Sequence, residues 1–483
     1  MSEDRTFDLS PDERARLLRR LRSRAAAARR RQRDDAATPA VPAPPPASAK
    51  PPSPSRPARP PMPAPPRPAP RRDDALALID PDFHRDGEAD LPGLGDRPRR
   101  QHDGIAGAEI VIDGKRYLNF AADDYLGLNG DRRIADAAKA AIDRYGTAAS
   151  RRDAGEPRLQ RQLERALAAL HGTGDALACV GEAEAFAGVA GHLFGAKDLI
   201  LHDALIPSRL VEGGARRASF AHNDAAAAAA ILTERRAGHR HAGILIEGHS
   251  RLAGDVADLP AFIAVARRHR AHLLVDDSHA VGVLGPHGRG LAEHFGIDPD
   301  EVDLWLGSLG NALASSGGYV AARRELILHL HRTAPVFADR SGLAPPLAAA
   351  ALAAIEVLRA EPERVIRVNA HARRLRDALR AKGMDTGASG GFAIVPLIIG
   401  GAPAAARLGD ALFRRFVQAE PIIPPAVPAR TARLRFVLSA AHPTEAIDRA
   451  TAAILDAGAT AMSRKRDLGA LLHRLGATTK PTV

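Results

Sequence analysis

The chain has 483 residues, 45% of them apolar, which is enough to bury the core of two or three domains and excludes a wholly disordered chain. Its one cysteine, Cys179, excludes an internal disulfide framework, and no apolar run approaches the ~18 residues of a membrane span. The net charge of +11 is uneven: residues 1–72 hold 17 Lys+Arg against 7 Asp+Glu, a surplus of ten, so the excess belongs to a tail and says nothing about the main body's substrate.

Met1 to Asp12 has no apolar core region, so a secretory signal is not expected and a reducing, cytoplasmic setting is. Ser10-Pro11-Asp12-Glu13 is a capping box with Pro at the first helical position, which predicts a short helix to about Arg33. Leu17, Leu18 and Leu21 form one stripe, and Arg14, Arg16, Arg19, Arg20, Arg22 and Arg24, then Arg29–Arg31, cover the rest. Such a run is ordinarily a solvated arm, but 10–33 also suits an acidic partner. The wording LSPDERARLLRRLR resembles linker segments of thiotemplate assembly lines, whose acyl carrier proteins are acidic. RNA or an anionic membrane surface would use the same charges, though nucleic acid is not the expected partner. Residues 39–70 hold 16 of the 37 prolines and read as an extended linker, with the folded part starting near Arg72–Asp74.

Asp113-Gly114-Lys115 predicts a hairpin turn between Ile110–Ile112 and Tyr117–Phe120. Helical spacing follows over Arg132–Tyr145 and Arg158–Leu170. Residues 175–325 then alternate strands (Ala176–Val180, Leu199–Leu201, Gly243–Ile246, His272–Val275, Leu304–Leu306) with helices (Ala187–Phe194, Asp224–Glu234, Leu259–His269). That alternation predicts an α/β fold with a mainly parallel sheet covered on both faces and a ligand site beyond the strands' carboxyl ends. Leu304–Val320 (LWLGSLGNALASSGGYV) reads as a buried strand and a tight turn, and Asp276-Asp277-Ser278-His279 lies just past another strand. Helices at Leu347–Arg359 and Val365–Lys382, strands at Ile394–Ile399 and Arg433–Leu438, and a helix at Glu445–Ala457 predict a smaller α+β domain. Leu468, Leu471, Leu472 and Leu475 make a helical stripe in the tail. The expected divisions are 1–72 (disordered basic helix and linker), 73–120, 121–345 (large domain), 346–458 (small domain) and 459–483.

Five stretches, in order over about 105–458, resemble the α-oxoamine synthase family of pyridoxal phosphate (PLP) enzymes: Asn119–Leu128 (NFAADDYLGL), Phe220–Asp224 (FAHND), Val275–Gly290 (VDDSHAVGVLGPHGRG), Ser308–Gly318 and Pro424–His442 (PPAVPARTARLRFVLSAAH). The resemblance implies a PLP-dependent transferase of fold type I. Such enzymes condense an amino acid with an acyl thioester and lose carbon dioxide, the cofactor serving as electron sink. It implies that Asp276 faces the pyridine nitrogen, that His279 lies near the phenolic oxygen, that Ser308 touches the phosphate and that Arg435 meets the substrate carboxylate. Without the motif, Asp276 would read as a turn cap and Arg435 as an edge-strand surface charge.

Three positions depart from the family pattern. Asn311 stands where the Schiff-base lysine belongs, and an amide nitrogen is no nucleophile. Lys115, Lys139, Lys197 and Lys382 all fall outside the matched cofactor segments. Pro207 stands where a histidine stacks on the ring, and Gly181-Glu182-Ala183 replaces a small residue, glycine and aromatic, putting the Glu182 carboxylate where a phosphate dianion would be repelled. Asn311–Ser315 and His287–Leu304 also resemble the lysine-less subunit of eukaryotic serine palmitoyltransferase. The reading is therefore a non-catalytic subunit of a heterodimer with a lysine-bearing homologue, PLP being uncovalent or absent. The alternatives are an active PLP-dependent acyltransferase with atypical cofactor binding, and a scaffold that recruits an acyl carrier protein through its basic arm; a dimer is expected, homo- or heterodimeric.

Overall fold

The computed structural model describes residues 100–148, 157–211, 213–338 and 342–458. The predicted arm, the proline-rich linker and the leucine stripe of the tail lie outside these residues.

Seven strands form the central sheet in the order β3 (Asp175–Cys179), β9 (Gly318–Ala322), β8 (Leu304–Ser308), β7 (His272–Asp276), β6 (Ala242–Glu247), β4 (Leu199–Asp203) and β5 (Arg216–Phe220). All neighbours pair in parallel except around β9, which runs antiparallel to both β3 and β8. The α/β expectation is met with a mixed sheet. β9 leaves β8 through one short loop, and only an antiparallel neighbour can be reached without a crossover helix.

The inner strands are apolar throughout because both their faces are covered. Ile244, Ile246, Leu273 and Val275 point into one layer, and Leu245, Leu274, Leu304 and Leu306 into the other. The expected strands and helices of this region are present, with bounds shifted by a few residues; the helix Leu259–His269 agrees to the residue. Its N-cap Asp258 accepts from the Ala261 amide, and Pro260 sits in its first turn. Periodicity missed β5, whose two arginines and mostly exposed pattern mark an edge strand.

Two small sheets flank this core. β1 (Glu109–Ile112) and β2 (Lys115–Asn119) form the expected hairpin, and β11 (Val417–Gln418) pairs in parallel with β2. β10 (Ile394–Gly400), β13 (Ala432–Val437) and β12 (Glu420–Ile422) form the other. The helix Ala402–Phe413 between them gave no clear sequence signal, and a last helix covers 444–458. Among the described residues, no helix is long and apolar enough to cross a membrane.

Gly307 shows how tightly β8 and β9 are fitted. A Cβ there would sit 2.1 Å from Cζ of Tyr319, its register partner. That ring is fully buried and its hydroxyl is 2.9 Å from Nε2 of His171, so it cannot swing away. Gly307→Ala should destabilise the protein by about 1–3 kcal/mol through overpacking, read as a lower denaturation midpoint at unchanged slope.

Candidate active site

Parallel pairing aligns the carboxyl ends of β6, β7 and β8. Glu247 lies opposite Asp276, and Asp276 opposite Leu306, so two carboxyls share one buried strand end. The Ser278 amide donates to Asp276 Oδ1 at 2.9 Å, as in a turn cap. Burial pushes the Asp276 carboxyl well above the usual range, and the neighbouring Glu182 and Glu247 push it further. Burial also raises Glu247 to about 7, although Arg251 Nε donates to its Oε1 at 3.1 Å, and raises Asp277 to about 7. Glu247 Oε2, His249 Nε2 and Asp277 Oδ1 are buried without a hydrogen bond among the described residues. Unsatisfied polar atoms of this kind cost free energy and are uncommon outside functional sites.

Asn311 and His279 meet at this end. Asn311 is buried in the turn after β8; its Nδ2 donates to the Ser278 carbonyl at 2.9 Å and lies 3.4 Å from His279 Nδ1. The Tyr125 hydroxyl is 2.5 Å from the same nitrogen and 3.4 Å from Asp123 Oδ1. Burial holds the His279 pKa well below its usual value, and Arg435 adds to this. The ring is therefore neutral. The amide nitrogen, held between a carbonyl and an imidazole, has no lone pair available for attack. Lys115, Lys139, Lys197 and Lys382 are all exposed.

The remaining candidates lie on other elements. Ser308 ends β8 and its Oγ accepts from the Gly310 amide at 3.1 Å. Glu182 begins the helix Glu182–Leu193, with Ala183 exposed beside it. Pro207 opens the 3-10 turn Ser208–Val211 and offers no aromatic face. Arg435 on β13 is largely buried; its Nη2 donates to Glu420 Oε2 at 2.6 Å and its Nη1 is 3.8 Å from Asp123 Oδ1. Burial works against its charge, but Asp123 and Glu420 outweigh this and raise its pKa. Its Nε is buried without a hydrogen bond among the described residues.

These residues suit PLP at one end only. Asp276 and His279, both buried at this strand end, are the residues that would hold the ring nitrogen and the phenolic oxygen. Asn311 has no amine to take an aldehyde, and Glu182 adds a carboxylate at the helix end that would hold the phosphate.

A half-buried network that sequence reasoning missed stands beside the site. His222 Nδ1 is 2.9 Å from both carboxylate oxygens of Asp203, and Nε2 is 3.1 Å from Asp255 Oδ1. Asn223 also bridges the two acids, through its amide to Asp203 and its side chain to Asp255. Burial opposes the charge on His222, but the hydrogen bonds to both acids prevail and push its pKa to about 10. Phe220–Asp224 was visible as a motif; nothing in the sequence pointed to its partners at the end of β4 and in the loop after β6.

The model of the aminotransferase class I and II family matches residues 115–454. The 8-amino-7-oxononanoate synthase of Methylococcus capsulatus is 38% identical over 354 residues, 72% of this chain and 91% of that one. The one from Geobacter sulfurreducens is 37% identical over 366 residues, 74% and 92% of the two chains. A solved serine palmitoyltransferase from Sphingomonas wittichii has a TM-score of 0.74 at 26% identity, covering 81% of this chain and 99% of that one. A serine palmitoyltransferase holding PLP as an internal aldimine has a TM-score of 0.72 at 25% identity, with 80% and 99% covered.

The His222 network makes stability depend on pH. A raised imidazole pKa contributes stability in full below its ordinary value of 6.5 and loses it as pH climbs through about 10. The melting midpoint should therefore fall between about pH 7 and about pH 10. His222→Gln should lower the midpoint at neutral pH and flatten that slope, checked by calorimetry across the range.

Proposed function

This chain belongs to the aminotransferase class I and II family, within its α-oxoamine synthase branch, and on that footing we propose that it is a non-catalytic subunit working beside a lysine-bearing homologue. The observation that carries this reading is the state of Asn311. Its amide is buried and engaged by Ser278 and His279, so the position offers neither nucleophile nor proton carrier. The reaction of the family joins an amino acid to an acyl thioester with loss of carbon dioxide, and it needs both.

Two further features support the reading. Arg435, the residue matched to substrate-carboxylate binding, is already neutralised by Glu420 and Asp123. The scaffold around the site is nonetheless intact: strand ends in register, Asp276 capped by Ser278, His222 clamped between two acids. Loss of chemistry with retention of packing is what a subunit kept for its surface would show. The partner supplies the lysine, and this chain supplies the complementary half of a dimer in which both chains line a site.

Borohydride treatment after incubation with PLP should leave no lysine adduct on this chain in intact-mass spectra, while the homologue from the same cell takes up one. Co-expression should yield a heterodimer by native mass spectrometry, with carbon dioxide release from amino acid and acyl thioester exceeding that of the homologue alone. Turnover by the purified single chain, abolished by Asp276→Ala, would establish the enzyme reading instead.

A further inference from the structure

The helix Glu182–Leu193 starts at the carboxyl end of β3, the end of the sheet where Asp276 and Ser308 lie. The first-turn amides of a helix have no acceptors within it, and the helix dipole favours an anion there. Its N-cap, Gly181, is extended and makes no side-chain cap bond. Two of the first three residues are acids, Glu182 and Glu184.

Both acids lie in the first turn of this helix. The Glu184 carboxylate folds back over the N-cap: its Oε2 lies inside the space that a Cβ on Gly181 would fill. The backbone of Glu182 packs against β9, since a Cβ on Gly318 would come within 2.5 Å of Glu182 Cα. Gly318 is the register partner of Ser308, so Glu182 stands one strand from the hydroxyl matched to the phosphate. Its negative field raises the pKa of Asp276, and of Tyr125 and Tyr319, in each case behind the larger effect of burial.

We infer that this chain's own carboxylates have taken the anion's place at this helix N-terminus, Glu184 over the N-cap and Glu182 beside Ser308, so that the pocket rejects a phosphate dianion whatever residue stands at 311. This goes beyond the subunit reading and does not depend on it. A missing lysine removes the covalent link alone, whereas these acids act on the far end of the cofactor. Restoring position 311 would therefore not restore the site.

The test separates the two ends. Asn311→Lys is titrated with PLP and with pyridoxal, which lacks the phosphate, following imine absorbance and the borohydride-fixed mass. The same titrations are run after adding Glu182→Gln and Glu184→Gln, with thermal melts confirming that each variant folds. The glutamines should tighten PLP by at least about tenfold and change pyridoxal by less than about threefold, because only PLP carries the repelled charge. Equal tightening of both ligands, or PLP bound by Asn311→Lys alone as tightly as with the glutamines, overturns the inference. Should no lysine variant form an imine, calorimetry with inorganic phosphate on Glu182→Gln/Glu184→Gln decides. Phosphate binding that appears only in that variant supports the inference, and its absence overturns it. The outcome leaves the heterodimer question untouched, since that is read on the unmodified chain with its partner.

Discussion

The register between β6, β7 and β8 is the constraint on which the site depends. It brings Glu247 and Asp276 side by side at a buried strand end and sets the turn bearing Asn311 against Ser278 and His279. In so dry a place, a charge persists only if an opposite charge or several hydrogen bonds meet it. A lysine at 311 would bring a positive charge to this end; the amide brings none. The carboxyls respond as physics requires: Asp276, Glu247 and Asp277 are all held above the ordinary carboxylate range, chiefly by burial.

The cations of the region show the same economy in reverse. Arg435 is matched by Glu420 and Asp123, and His222 by Asp203 and Asp255. Each acid that neutralises a cation inside the protein removes one that a ligand could have used. The Asn311 amide, closed on the Ser278 carbonyl and the His279 ring, belongs to the same pattern. Glu182 and Glu184 stand at the helix end where an outside anion is otherwise favoured, and Glu247 Oε2 and Asp277 Oδ1 remain buried without a hydrogen bond among the described residues.

Much of this was legible in the sequence because its signals are local. Asp258 and Pro260 mark a helix start whatever surrounds them, and the apolar runs of β6 and β8 announce strands buried on both faces. The replacements at 311, 207 and 182 were visible because five segments resemble a family in order. Less legible were elements that owe their state to neighbours. β5 carries two exposed arginines and is a strand only because β4 offers it an edge. β11 has two residues and exists because β2, some 300 positions earlier, is there to pair with it.

The sequence by itself determined the α/β architecture, the family and the identity of the residue at each site position, because periodicity, capping and motif order are properties of neighbouring residues. Tertiary structure alone decided what those residues do. That Asn311 is held by Ser278 and His279, that Arg435 is already neutralised, that His222 is clamped between Asp203 and Asp255, and that Glu184 folds over Gly181 all depend on distances between groups in space. Hydrogen bonds and buried charges act over a few ångströms, and the spacing of residues along a chain does not specify which of them the fold brings that close.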